Sequence, residues 1–363
     1  MEQSARTGVS VAQPPKLSIC ISTLNRADFL RATLNQILPQ LTDQCEVLVV
    51  DNASVDNTPH VVAELTHDRL RCIRKEDNKG LDGNFDRAIE LARGDYCWLT
   101  SDDDLFHPGA VAAVLAAIAD EPSAVLVNYE FRDFSMSKVL QERVLDLDAD
   151  RVYGPWELDR MFVELGDFVR YIGALVMRRT LWLERQRNLY IGSYYGFVGM
   201  LYQERLPRGA YVIAQPYVSY RYGNEGTYSE QLMEIVFAKW PSLVASLPLA
   251  ERSKCALASA QPWRHIHELF FWRGNGRYSY GQYRRWIRPQ LHSRSARVLP
   301  LVCAVLPRLL VNALLALYLA ARRNRLRQMD GLKLAMLEAS PFHFRTRTPR
   351  KRAQTPTPRP TMT

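Results

Sequence analysis

The apolar positions of the first 130 residues fall into short blocks separated by polar, turn-forming stretches. The run Leu17-Ser18-Ile19-Cys20-Ile21-Ser22-Thr23 reads as a buried strand. Leu30, Leu34, Ile37, Leu38 and Leu41 then recur at helical spacing, with Asn25 as the expected N-cap and Asp28 at N3. Glu46 to Asp51 is a second strand ending in an acid, and Thr58-Pro59 opens a short helix in the N-cap and N1 pattern. Leu70 to Arg74 predicts a third strand, Asn78-Lys79-Gly80 a turn, and Asn84 to Ala92 a helix closed by Gly94. Tyr96 to Leu99 is a further strand that runs straight into Ser101-Asp102-Asp103-Asp104. Pro108 opens an alanine-rich helix to about Ala119, and Ala124 to Tyr129 is the next strand. Strands alternating with helices predict an α/β fold with a doubly wound, mostly parallel sheet, whose ligands bind at the carboxyl ends of the strands.

Past residue 130 the pattern loosens. Pro155 to Leu165 reads as helix, Tyr171 to Met177 as strand, and 190 to 229 is rich in Tyr and Gly, which together predict a small β/α extension. Val298 to Ala321 is apolar for 24 residues but carries Arg308 near its middle, with Pro300, Pro307 and Asn312 nearby. A central Arg costs roughly 2.5 to 3.5 kcal/mol to insert, so a helix lying in the membrane interface is expected rather than a span. A hydrophobic helix pair packed on the domain is the alternative.

Composition adds one thing to this picture. With 363 residues, 47% apolar and 23% charged, the chain is neither collagen-like nor wholly disordered. The formal charge of +9 hides two electrical objects: residues 1 to 250 carry 25 Lys+Arg against 34 Asp+Glu, while 251 to 363 carry 22 against 4. The basic third interleaves arginines with Trp263, Phe270, Phe271, Trp272 and Trp286, which suits an anionic membrane surface. The six cysteines form no C-x-x-C pair, the seven histidines form no recognisable metal set, and residues 1 to 16 lack a secretory apolar stretch, so a reducing cytosolic setting is expected.

No P-loop or G-x-G-x-x-G follows the first strand, so a phosphate ligand needs another counter-charge. Asp102-Asp103-Asp104 follows one buried strand and Asp51 closes another. Like charges gathered at one sheet edge repel unless a cation compensates, and hard carboxylate oxygens suit Mg²⁺ or Mn²⁺.

Four ordered stretches carry a resemblance: Leu17 to Arg26, Val49 to Thr58, Asn78-Lys79-Gly80, and Gly94 to Asp104. They resemble family 2 glycosyltransferases of the GT-A fold, and within that family the abequosyltransferase-type enzymes of bacterial polysaccharide synthesis. The resemblance implies that Thr23, Asn25 and Arg26 line a nucleotide pocket, that Asp51 bonds a pyrimidine base, and that Asp102 faces the ribose. It implies that Asn78, Gly80 and Asn84 shape the pocket floor, with Asp103 the principal metal ligand and Asp104 its neighbour. The D-x-D pattern also reads as Asp102 with Asp104, and capping and turn chemistry alone also accounts for Asn25 and Gly80.

On this reading, residues 1–15 are a disordered leader, 16–130 the nucleotide-sugar-binding half and 131–250 the acceptor-side half. Residues 251–340 form a basic, aromatic helical region with interfacial helices, and 341–363 a disordered basic tail. The resemblance implies transfer of a sugar, with a deoxysugar the donor that the abequosyltransferase likeness suggests, from a pyrimidine nucleoside diphosphate to a lipid-linked saccharide. The place would be the cytoplasmic side of a bacterial inner membrane, with the enzyme peripheral or monotopic and no nucleic-acid partner. Many family members place a Glu-Asp pair in the acceptor half, but Gly192 to Gly199 contains no acid; Asp167, Glu204 and Glu225 are the nearest, and the general base is left open. A sugar nucleotidyltransferase and a nucleic-acid or membrane adaptor using the basic third are the rival functions.

Overall fold

The computed structural model describes residues 14–224, 231–258, 265–321, 333 and 337. Ten strands form one sheet: β1 (Leu17–Thr23), β2 (Cys45–Asn52), β3 (Leu70–Lys75), β4 (Tyr96–Thr100), β5 (Leu105–Phe106), β6 (Ala124–Arg132), β7 (Val139–Gln141), β8 (Arg151–Tyr153), β9 (Leu175–Arg178) and β10 (Ala210–Arg221). The main path runs β3-β2-β1-β4-β9-β6-β10-β5, with β7 on β6 and β8 on β10. Strands β1 to β4 pair in parallel, as the alternation with helices predicts. Strand β9 enters antiparallel between β4 and β6, so the mostly parallel sheet carries antiparallel pairings at its centre. The chain reaches β9 through short 3₁₀ turns over 166–174, with no crossover helix immediately before it.

The helices of this half are α1 (Ala27–Ile37), α2 (Thr58–Glu64), α3 (Gly80–Leu91), α4 (Ala110–Ala117), α5 (Leu158–Leu165), α6 (Arg179–Glu184) and α7 (Gly196–Tyr202). Their starts differ from the sequence reading in an instructive way. Asn25 is not the N-cap of α1; it sits at φ +56°, and its Oδ1 accepts from the Val55 N–H at 2.7 Å. Asp56 takes over the capping of two helices at once, one carboxylate oxygen accepting from the Ala27 N–H and the other from the Thr58 N–H, which places Thr58 inside α2. Helix α3 begins at Gly80, four residues earlier than its apolar spacing suggests, because Gly80 adopts φ +73° and its N–H donates to Asn78 Oδ1.

One hydrophobic core runs from Leu17 to Leu249. The boundary expected at 130/131 falls inside β6, so the two halves share both the sheet and that core. Every residue of β2 is buried, as befits a parallel strand covered on both faces. Trp98 is a core residue, and its indole N–H donates to Gly173 O at 2.9 Å.

The C-terminal part is helical: α8 (Leu232–Glu234), α9 (Trp240–Ser246), α10 (Glu251–Leu257), α11 (Ile266–Gly274), α12 (Tyr280–Gln282), α13 (Arg294–Val305) and α14 (Arg308–Ala321). Helix α9 packs on the main core through Trp240, Leu243 and Val244, and two smaller clusters, centred on Leu269 and Tyr278 and on Phe271 and Leu337, hold the later helices together. The apolar run 298–321 is not one helix; it breaks at Leu306-Pro307 into α13 and α14, which meet at 91°. Among the described residues no single helix is long and apolar enough to cross a membrane. Nearly all of the expected leader, the arginines at 322, 323, 325 and 327 and the basic tail lie outside the described residues.

Candidate functional site

The carboxyl ends of β1 and β4, adjacent parallel strands, deliver Thr23 and the triple-Asp loop to one place. Thr23 Oγ1 donates to Asp102 Oδ2 at 2.7 Å. The Arg26 guanidinium lies 3.3 Å from Asp102 Oδ1 and 2.6 Å from Asp103 Oδ2, so the two carboxylates converge on one cation. Asp103 also accepts from Asn224 Nδ2 at 2.5 Å and from the Ser101 hydroxyl. Asp104 turns the other way, accepting from the Tyr171 hydroxyl at 2.6 Å and from the Arg221 N–H at 3.0 Å. It is therefore Asp102, and not the Asp104 expected from sequence, whose oxygen shares a cation with Asp103.

All three acids are buried, and their titration reflects it. Burial lifts the Asp102 carboxyl to about 7, an effect that Arg26 opposes and the Asp103 charge reinforces. Burial, then the Asp103 charge, also raises Asp104 well above the usual carboxylate range, against the pull of the Tyr171 hydroxyl.

A second cluster lies at the end of β2. Asp51 accepts from the Ser54 N–H at 2.9 Å and from Arg74 at 2.8 Å, while Ser54 Oγ accepts from the Asn25 N–H. Asn25 and Asp51 are thus joined through Ser54, and Asp51 with Arg74 lines a groove of about 500 Å³. Asn78, Gly80 and Asn84 form their own turn: Asn84 Nδ2 and the Gly80 N–H both donate to Asn78 Oδ1, and Asn84 Oδ1 accepts from the Lys79 N–H. Their hydrogen bonds shape the start of α3 and do not reach the carboxylates.

The family model for glycosyl transferase family 2 matches residues 18–187, the stretch that holds all of these side chains but Asn224 and Arg221. That segment belongs to glycosyl transferase family 2. The domain is 25% identical over 178 residues to abequosyltransferase RfbV of Salmonella typhimurium, covering 46% of this chain and 54% of the relative. It is 27% identical over 140 residues to the GalNAc(5)-diNAcBac-PP-undecaprenol beta-1,3-glucosyltransferase of Campylobacter jejuni, covering 38% and 45%. The chain spans between a fifth and just over half the length of the curated relatives it matches. The fold is that of GT-A enzymes: S. aureus TarS 1-349, solved with UDP-GlcNAc, superposes with a TM-score of 0.55 at 17% identity, over 89% of this chain and 90% of that one.

Several residues of this site escape a reading by motif. Thr33, a lone hydroxyl on the apolar face of α1, lies 2.7 Å from Asp104 O and 3.0 Å from Asp102 O and pins the acidic loop to the helix. A polar residue within the stripe Leu30, Leu34, Ile37 was the visible signal. Tyr171, Arg221 and Asn224 arrive from over 60 residues away, and no local pattern announces them. Tyr171 holds its place because Gly173 has no Cβ, which would collide with the Tyr171 ring.

The acids considered for the acceptor side do not gather there. Asp167 is exposed and paired with Arg170, Glu204 is exposed, and Glu225 lies outside the described residues. The carboxylate that meets the stretch 192–199 is Asp82 of α3, which accepts from the N–H groups of Tyr194 and Gly196 at 2.8 and 2.9 Å. Burial raises its pKa, against the pull of those N–H donors.

Among the described residues no group of three or more His, Cys, Asp and Glu side chains is arranged to hold a metal ion. The donor set still suits one that is shared with a substrate. Asp102 Oδ1 and Asp103 Oδ2 already face one positive charge, and magnesium is commonly held by one or two carboxylates plus substrate phosphates.

Proposed function

We propose that this chain transfers a sugar from a pyrimidine nucleoside diphosphate to a hydroxyl of a lipid-linked saccharide, in bacterial surface-polysaccharide assembly at the cytoplasmic face of the inner membrane. The observation that carries the proposal is the convergence of Thr23, Arg26, Asp102 and Asp103 at the ends of two adjacent strands, with Thr23 and Arg26 bonded to Asp102 and Arg26 bridging on to Asp103. Support for the class of acceptor comes from the undecaprenol-linked substrate named for the Campylobacter relative.

In the proposed site Asp51 receives the base, with Asn25 and Ser54 fixing its loop, and Asn78, Gly80 and Asn84 form the floor. Thr23 orients Asp102 toward the ribose, and Asp102 with Asp103 would hold Mg²⁺ or Mn²⁺. Held there, the ion would supply positive charge against the departing diphosphate. Arg26, already the counter-cation of both carboxylates, is placed to meet an incoming phosphate. In the transfer the bond between anomeric carbon and diphosphate oxygen breaks, the acceptor oxygen forms the new bond, and its proton leaves to a base.

Titration calorimetry of the full chain with UDP-, dTDP-, GDP- and CDP-sugars, each with and without Mn²⁺, tests the proposal. Deoxysugar nucleotides belong in the panel because of the similarity to abequosyltransferase RfbV. Metal-strengthened binding of one pyrimidine nucleotide sugar is expected; binding of none, with or without metal, overturns the reading.

A further inference from the structure

Helices α13 and α14 are apolar on both faces. Their inner faces bury Cys303, Ala304, Val311 and Asn312 against α11. The fastening is specific: Asn312 Nδ2 donates to Gly274 O at 3.0 Å, and Arg273 Nε donates to Leu306 O, at the bend, at 2.7 Å. A Cβ on Gly274 would come within 3.1 Å of Leu315 and 3.3 Å of the Asn312 backbone, so α11 and α14 lie in near contact.

Because both legs are anchored to the same helix, both outer faces point away from it. Those faces carry Leu299, Val302 and Val305 on α13 and Leu310, Leu314 and Leu317 on α14, each 42–68% exposed. Single exposed apolar side chains are ordinary on a soluble monomer, but six large ones ranged along the outer faces of two joined helices are not.

Charge selects what covers that face. Residues 265–321 carry eight arginines and one acid, Glu268. A second copy of the chain would bring two strongly positive modules together, whereas an anionic bilayer attracts the arginines and accepts the leucines in its headgroup region. Among the described residues neither leg is long enough to cross on its own. Legs of 12 and 14 residues are each short of the roughly 20 needed, and the bonds to Gly274 and Arg273 hold the 91° bend against straightening.

We propose that the outer faces of α13 and α14 form a membrane-docking surface that lies in the interface of an anionic bilayer without spanning it. The proposal stands independently of the donor site, since none of its residues belongs to that site.

Vesicle flotation of the full chain decides it, using phosphatidylcholine alone and an equal mixture of phosphatidylcholine and phosphatidylglycerol. The wild-type protein is expected to float with the anionic vesicles, with part of the binding surviving high salt. Leu314→Glu with Leu317→Glu, both at solvent-facing positions, should weaken binding about tenfold or more, and Val302→Glu on the other leg should act in the same direction. Arg284→Glu with Arg294→Glu, also exposed, should remove the preference for anionic vesicles and leave a salt-resistant remainder. Circular dichroism melts and donor calorimetry on each variant should match wild type. Unimpaired flotation of the well-folded Leu314 and Leu317 variant or of the Val302 variant overturns the proposal. So does a wild-type protein that ignores both vesicles, and a dimer in sedimentation that these substitutions break would then reassign the face to a second copy.

Discussion

Residues 14–224 take three carboxylates out of water at the end of a sheet, while residues 265–321 leave a continuous apolar face in water on a strongly basic module. Both arrangements cost free energy in the isolated chain, and the two costs differ in kind. In the first region the cost is electrostatic, and it is met from within by Arg26, Thr23, Tyr171 and the Arg221 N–H. In the second it is hydration of apolar surface, and no described part of the chain covers it. A region whose unfavourable groups are satisfied internally is set up to exchange those partners for a small polar ligand. A region whose unfavourable surface stays open is set up for a large apolar one.

Asp103→Asn should separate the regions most sharply. Loss of one carboxylate charge at the point where two acids share a cation is expected to lower the proposed metal-dependent transfer on the order of 100-fold or more, with flotation and the melting curve unchanged. Full activity in the folded variant would remove Asp103 from the site. A purely structural effect is expected from Leu269→Ala beneath the apolar face. Creating a cavity in the second core should cost about 2–5 kcal/mol of that module's stability, read as an earlier melt, while donor affinity measured by calorimetry stays put. A parallel loss of donor affinity would show that the two regions are one cooperative unit.

The smallest effect tests the acidic half by pH. Glu130 is buried on β6, where burial works against its charge but the Ser219 hydroxyl, Arg132 and His107 outweigh it and hold its pKa below the ordinary carboxylate value. A lowered native pKa means that the stabilisation is complete above the unfolded value near 4.5 and is lost as pH falls through the native one. Glu130→Gln should therefore cost about 1–2 kcal/mol at neutral pH and flatten the decline on acidification, as read from melts across that range. An unchanged acid limb would mean that Glu130 carries no such linkage.

Much of the donor half was legible along the chain because its signals are local. A run such as Val47 to Val50 can only be a strand covered on both faces, and strands that alternate with helices place Asp51 and Asp102 to Asp104 at carboxyl ends without any structure. Helix starts were less legible, since a distant carboxylate, Asp56, caps both α1 and α2 and frees Asn25 for another bond. The C-terminal run 298–321 showed its composition and its prolines, but not that it folds as two legs on α11.

What the sequence determined by itself is therefore the parallel grammar of β1 to β4, the acids at their ends and the electrical division of the chain, all of which depend on neighbours a few residues apart. Which acid faces which partner was decided only in three dimensions. Tyr171, Arg221 and Asn224 reach the triple-Asp loop from over 60 residues away; the first two turn Asp104 away from Asp103, Asn224 holds Asp103, and Arg26 brings Asp102 toward it. The strength of a buried charge pair depends on distance and desolvation, and neither exists until β1, β4 and β10 lie in one sheet.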